Sequence, residues 1–130
     1  MISRRIVLGA VALAPFFSAT AVRSAETVAF TQAAFDAAQK AGKSILVDIS
    51  APWCPTCRAQ APIIKKLSAQ AEFKDLMILH VDFDSQQDVV KNQGAQQQST
   101  LIVYKGSKEM GRSVGDTNAD SIGKLLAQAV

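Results

Sequence analysis

The run Ser44-Ile45-Leu46-Val47-Asp48-Ile49-Ser50, followed after Ala51 and Pro52 by Trp53-Cys54-Pro55-Thr56-Cys57, decides the fold. The first segment is continuously apolar apart from Asp48, the pattern of a strand buried on both faces at the centre of a sheet. The second holds both cysteines of the chain, two residues apart, directly ahead of a helical pattern. Strand, tight loop and helix N-terminus therefore follow one another. A cysteine in the first turn of a helix faces unpaired backbone N–H groups and the positive end of the helix dipole, and both favour thiolate over thiol. Cys54 is thus the candidate nucleophile. Cys57, one turn on, lies on the same face and can resolve a mixed disulfide by intramolecular attack.

Other uses of the pair fit less well. A structural zinc site needs about four N or S ligands, and the chain offers two cysteines and one histidine, His80. A static disulfide across two intervening residues closes too small a loop to stabilise much. Redox cycling between dithiol and disulfide is the expected chemistry, with no metal and no cofactor.

Upstream, residues 1–25 read as an export signal. Arg4 and Arg5 form a basic start, Ile6 to Phe17 an apolar run, and Ser18 to Ala21 a small-residue end in which Ala19-Thr20-Ala21 fits a cleavage pattern. Ser3-Arg4-Arg5-Ile6-Val7-Leu8 also resembles the twin-arginine pattern, although Val7 replaces the usual Phe. The apolar run is short for a membrane span, so cleavage is favoured over an anchor. Export to a bacterial periplasm follows, where disulfides persist.

The formal charge of +3 comes from this segment, because without Arg4, Arg5 and Arg23 eleven basic residues face eleven acidic ones. A neutral domain lacks the concentrated basic face that nucleic acid or an anionic membrane surface requires. Residues 26–130 have the length and the apolar content of a single domain, expected to act as a monomer.

Within that domain, Val28-Ala29-Phe30 reads as a short strand. Thr31 caps a helix carrying Ala34, Phe35 and Ala38 and ending at Gly42. After Cys54 a helix is expected with Ala61, Ile64, Leu67 and Ala71 on one face and a kink at Pro62. Leu76 to Phe83 is a further strand, and Asp84-Ser85 caps a short helix ending before Gly94. Thr100 to Tyr104 and Met110 to Val114 form a hairpin around Gly106. Thr117 with Asp120 suggests a capping box for a last helix burying Ile122, Leu125 and Leu126. The order β-α-β-α-β-α-β-β-α gives an α/β fold, a mixed sheet with helices on both faces. The cysteines lie at the C-terminal end of a central strand, where open sheets place ligands.

From residue 26 to Val130 the chain resembles the thioredoxin family. The resemblance rests on Trp53 before the first cysteine, the pair Cys54 and Cys57, Pro62 five residues after the second, Asp48 six residues before the first, and Gly106 and Gly115 in the terminal hairpin. It implies the thioredoxin fold and thiol-disulfide oxidoreductase activity. Asp48 would lie behind the cysteines, where a desolvated carboxylate has a raised pKa and can take the proton of Cys57. Trp53, Pro55, Thr56, Gln98 and Ser99 would contact the substrate. Three departures stand out: Pro55-Thr56 replaces the family's Gly-Pro, His80 stands where many members keep a lysine or glutamate near the buried carboxylate, and Ser99 stands where the family holds a cis proline. The peptide bond before Ser99 is therefore expected to be trans, since a non-proline cis bond costs roughly 2.5–4 kcal/mol. His80 is read as a hydrogen-bonded structural residue rather than a proton relay.

Oxidants of the Dsb type carry a helical insertion and a histidine between the cysteines, and this chain has neither. A reductant of disulfides in exported proteins is expected, recharged, as the resemblance implies, by a membrane thiol-transfer protein. The alternatives are a disulfide-forming oxidant and a C-x-x-C module for a soft ion such as Cu(I), to which loss of the family proline could open the sulfurs.

Overall fold

The strand Ser44–Ser50 (β2) forms where the sequence places it, and its odd and even residues serve different cores. In the computed structural model, which describes residues 14–19 and 24–130, β2 lies at the centre of a five-stranded sheet of order β1-β3-β2-β4-β5. β1 (Glu26–Ala29) and β2 run parallel to β3 (Met77–Asp82), while β4 (Thr100–Lys105) is antiparallel to both β2 and β5 (Lys108–Val114). Ile45, Val47 and Ile49 of β2 pack with Leu79, Val81 and Ile102 beneath α1 (Gln32–Lys40) and α3 (Gln87–Asn92). Leu46 packs on the other face with Ile78, Leu101 and Val103 beneath α2 (Pro55–Ser68) and α4 (Ala119–Ala127). Burying both faces of β2 explains its unbroken apolar run, each Val, Ile or Leu contributing about 1.5–3 kcal/mol relative to exposure.

The element order is the expected one, and α4 buries Ile122, Leu125 and Leu126 as expected. Local details differ for physical reasons. β1 begins earlier and ends at Ala29, so Phe30 lies past the strand, buried in the α1-side core. The inward face of α2 is Cys57, Gln60 and Ile64, whereas Ala61 is exposed. Because Cys57 must face the sheet, the residues three and seven positions on follow it inward. Ala71 falls beyond the helix, exposed in a short 3-10 turn that buries Phe73. Pro62 lies inside α2 on its exposed side, and the helix runs through it.

Two caps also differ. Asp84 and Ser85 do not cap α3; the Asp82 carboxylate accepts their N–H groups, and Gln86 stands at the N-cap of α3 without a side-chain capping bond. Asn118, not Thr117, caps α4 by accepting from Ser121 N–H at 3.0 Å. The hairpin turn is tighter than its five-residue linker suggested, with Lys105 pairing Lys108 across Gly106 and Ser107. Most of the expected export segment lies outside the described residues.

Candidate functional site

Everything that meets the cysteines comes from the end of the sheet where β2 leaves and β4 begins. Cys54 is the N-cap of α2, and its sulfur takes the place of the usual capping oxygen by accepting the Cys57 N–H at 3.2 Å. Pro55 occupies the first turn, where its missing N–H costs nothing. On the loop before β4, the Ser99 hydroxyl lies 3.8 Å from the Cys54 sulfur. Both cysteines are free thiols and almost fully enclosed, Cys54 at 2% exposure and Cys57 at 6%.

Enclosure acts differently on the two sulfurs. For Cys54, desolvation pushes the pKa up, but the hydrogen bonds from Cys57, side chain and backbone, from Ser99 and from the Thr56 N–H outweigh it and bring the thiol below its ordinary value. For Cys57, desolvation together with its hydrogen bond to Cys54 pushes the thiol up. One thiol is thus prepared as a thiolate and its neighbour is held protonated.

Asp48 is half-buried on β2, across from His80 of β3 and Leu101 of β4. Desolvation pushes its carboxyl up, and the neighbouring His80 pulls part of that back. Among the described residues its carboxylate makes no hydrogen bond, so it does not tie down backbone N–H groups. His80 is exposed rather than enclosed on its strand, and its Nδ1 lies 3.4 Å from the Ser50 hydroxyl. A cleft of about 290 Å³ is lined by Ser50, Cys57, Arg58, His80 and Asp82 among others.

The expected contact residues are brought together around this site. Trp53 is 53% exposed, and its indole N–H donates to the Asp84 carboxylate at 2.8 Å, which fixes the ring beside the thiol loop. Pro55 is exposed and Thr56 half-buried. Gln98 is half-buried and Ser99 buried on the loop just before β4. No peptide bond among the described residues is cis, so the bond before Ser99 is trans as expected, and Ser99 reaches its place with φ 57° instead. That left-handed backbone is uncommon for a residue with a Cβ.

Two residues were missed. Asp84 looked like a helix cap, and nothing local to it signals the indole 31 positions away. Gln60 is 1% exposed, and its side-chain amide donates to the carbonyls of Ser99 at 3.3 Å and Asp116 at 2.8 Å. Its signal was available: counting the helix face from Cys57 puts a lone polar residue inward.

The thioredoxin family model matches residues 13–128. A thioredoxin of Chlamydia trachomatis is 36% identical over 84 residues, covering 65% of this chain and 80% of that protein. Thioredoxin-2 of Saccharomyces cerevisiae is 36% identical over 97 residues, covering 74% of this chain and 90% of its own. Among solved structures, Trxlp from Edwardsiella tarda superposes with a TM-score of 0.76 at 37% identity, covering 78% of this chain and 98% of that one.

Proposed function

This chain belongs to the thioredoxin family and is a thiol-disulfide oxidoreductase, and we propose that it works as a reductant of disulfides in exported proteins. The observation that carries the exchange chemistry is the asymmetry of the pair, a capped and hydrogen-bonded Cys54 beside a protonated Cys57. The Cys54 thiolate attacks one sulfur of a substrate disulfide, forming a mixed disulfide and releasing the other sulfur as a thiolate. Cys57 gives its proton to Asp48 and attacks Cys54, which leaves the substrate fully reduced and the protein with a Cys54–Cys57 disulfide. Asp48 suits that step because burial raises its pKa above the ordinary carboxylate value and makes it a stronger base than an exposed aspartate. Trp53, Pro55, Thr56, Gln98 and Ser99 form the rim against which an extended substrate segment docks.

The direction is supported by plain architecture: among the described residues the elements run from β1 to α4 with no helical insertion, and Pro55-Thr56 puts no histidine between the cysteines. Residues 1–25 serve as the export signal, the domain works in the periplasm as a monomer, and a membrane thiol-transfer protein returns it to the dithiol form. Trapping with Cys57→Ser in the native compartment tests the reading, since that variant stalls at the mixed disulfide. Exported proteins captured by a chain that is otherwise found as a dithiol support a reductant. A wild-type chain found as the disulfide in that compartment would identify an oxidant.

A further inference from the structure

Gln60 is a costly residue to bury unless its amide is needed. Its carbonyl oxygen Oε1 is enclosed and has no partner, a loss that an apolar side chain of the same length would avoid. What glutamine adds is its NH2 group, whose two hydrogens go to the carbonyls of Ser99 and Asp116. Since both neighbours are acceptors, the amide can face them only through nitrogen. These contacts join α2, the helix that starts at Cys54, to the turn before β4 and the turn after β5. The two turns are also joined to each other, as Gly115 N–H donates to the same Ser99 carbonyl at 2.9 Å.

Resting on the reading of Cys54 as the nucleophile, we propose that Gln60 is a positioning residue that fixes the Ser99 turn against α2 so that the Ser99 hydroxyl meets the Cys54 sulfur. Three observations converge on it. Ser99 is held in the left-handed region, which a residue with a Cβ keeps only when its surroundings impose it. Its hydroxyl sits 3.8 Å from the sulfur, at the outer reach of such a bond, so a slip of a few tenths of an ångström loses the contact. Gln60 is the only side chain seen to hold the Ser99 carbonyl among the described residues. Loss of the amide still leaves that carbonyl the Gly115 N–H, so the fold survives while the turn loses its tie to the helix.

The test is a double-mutant cycle on the full chain in its dithiol form, read as Cys54 alkylation by iodoacetamide across pH. Gln60→Met keeps the length and removes the donors; Gln60→Leu is the second variant should the first not fold. The expected result is a fall of about three- to tenfold in rate below the Cys54 inflection, matching Ser99→Ala, with the inflection moved to higher pH. In the Ser99→Ala background, removing the amide should change the profile no further. A Gln60 variant that loses stability but keeps the wild-type profile would overturn the proposal, as would two effects that simply multiply, or a Ser99→Ala profile equal to wild type. A disulfide-exchange assay on the wild type runs alongside. Its failure would remove the reductase reading, while the alkylation cycle would still report on Gln60.

Discussion

Replacing Asp48 with asparagine should make the protein more stable and a worse catalyst at the same time. Asp48 is half-buried between β3 and β4, its carboxylate makes no hydrogen bond among the described residues, and desolvation raises its pKa against a partial offset from His80. A carboxyl whose folded pKa lies above its unfolded one favours the fold fully below the unfolded value, and this contribution is lost as pH rises through the folded value. At neutral pH the wild type therefore carries a penalty that Asp48→Asn removes. The asparagine leaves a neutral polar group in the same place, so the gain is the desolvation of the charge alone, about 1.4 kcal/mol for each tenfold weakening of the acid. For a domain of this size that is a rise in Tm of several degrees, roughly 4–8 °C for each kcal/mol. Urea denaturation of the dithiol form at a series of pH values measures it. The gain of Asp48→Asn over wild type should vanish below the ordinary carboxylate range near pH 4 and grow toward neutral pH. In single-turnover kinetics, resolution of the mixed disulfide should slow about a hundredfold or more while its formation changes little, because only resolution needs a base beside Cys57. A stability difference independent of pH, or equal slowing of both steps, would refute the reasoning and leave Asp48 a structural carboxylate.

Two shorter predictions concern the rim and the thiols. Alkylation of the dithiol form should show Cys54 with an inflection below the ordinary cysteine value and Cys57 with one above it, as the directions of their shifts require; the reverse order, read by mass spectrometry of each peptide, would exchange their roles. Asp84→Ala frees the Trp53 indole and should slow attack on a protein disulfide by up to about fivefold, the equivalent of one hydrogen bond of about 1 kcal/mol. Alkylation of Cys54 by a small reagent should not change, and an equal fall in both assays would place Trp53 on the sulfur rather than on the substrate.

How far the sequence reaches depends on whether a feature is local. β2 and the helix N-terminus after it were legible because burial on both faces and capping leave their marks within a few residues of Cys54. Of the residues expected on the α2 face, Ile64 and Leu67 pack inward while Ala61 and Ala71 do not, because an alanine fits either phase and the deciding constraint, Cys57 facing the sheet, is tertiary. Asp84 and Thr117 had the right chemistry for caps, but side-chain oxygens serve whichever donor the fold brings near. For Asp84 that is the Trp53 indole, and at α4 Asn118 stands one residue closer to the first turn. The pairing of Asp48 with His80 depends on strand register, and the closure of Gln60 on Ser99 depends on where a helix and a distant turn meet. Neither pairing leaves a local mark, although the resemblance put His80 near Asp48 and counting from Cys57 turns Gln60 inward. Ser99 was legible in one respect, since without proline the trans bond is the cheaper one, but its positive φ could not be foreseen.

The donors that activate Cys54 also limit its strength as a reductant, and Ser99 allows that trade to be measured. The Cys57 and Thr56 N–H groups and the Ser99 hydroxyl stabilise a thiolate, and each loses its charged partner when the disulfide forms. Every such donor therefore favours the dithiol form and raises the reduction potential. The protonated state of Cys57 keeps a second negative charge out of the site, so the stabilisation comes from one thiolate alone. Ser99→Ala removes one donor at a long distance, 3.8 Å, so its effect belongs at the weak end for a bond to a charged group. A three- to tenfold change in the thiol-disulfide equilibrium corresponds to a potential lower by about 15–30 mV. Equilibration with dithiothreitol redox buffers across pH measures it. The lowering should be full above the Cys54 pKa and fade below it, where both proteins carry a neutral thiol that needs no donor. A higher potential in Ser99→Ala, or a shift that ignores pH, would show that the hydroxyl does not act on the thiolate, and the lowered pKa of Cys54 would then belong to the Cys57 thiol and the helix N-terminus.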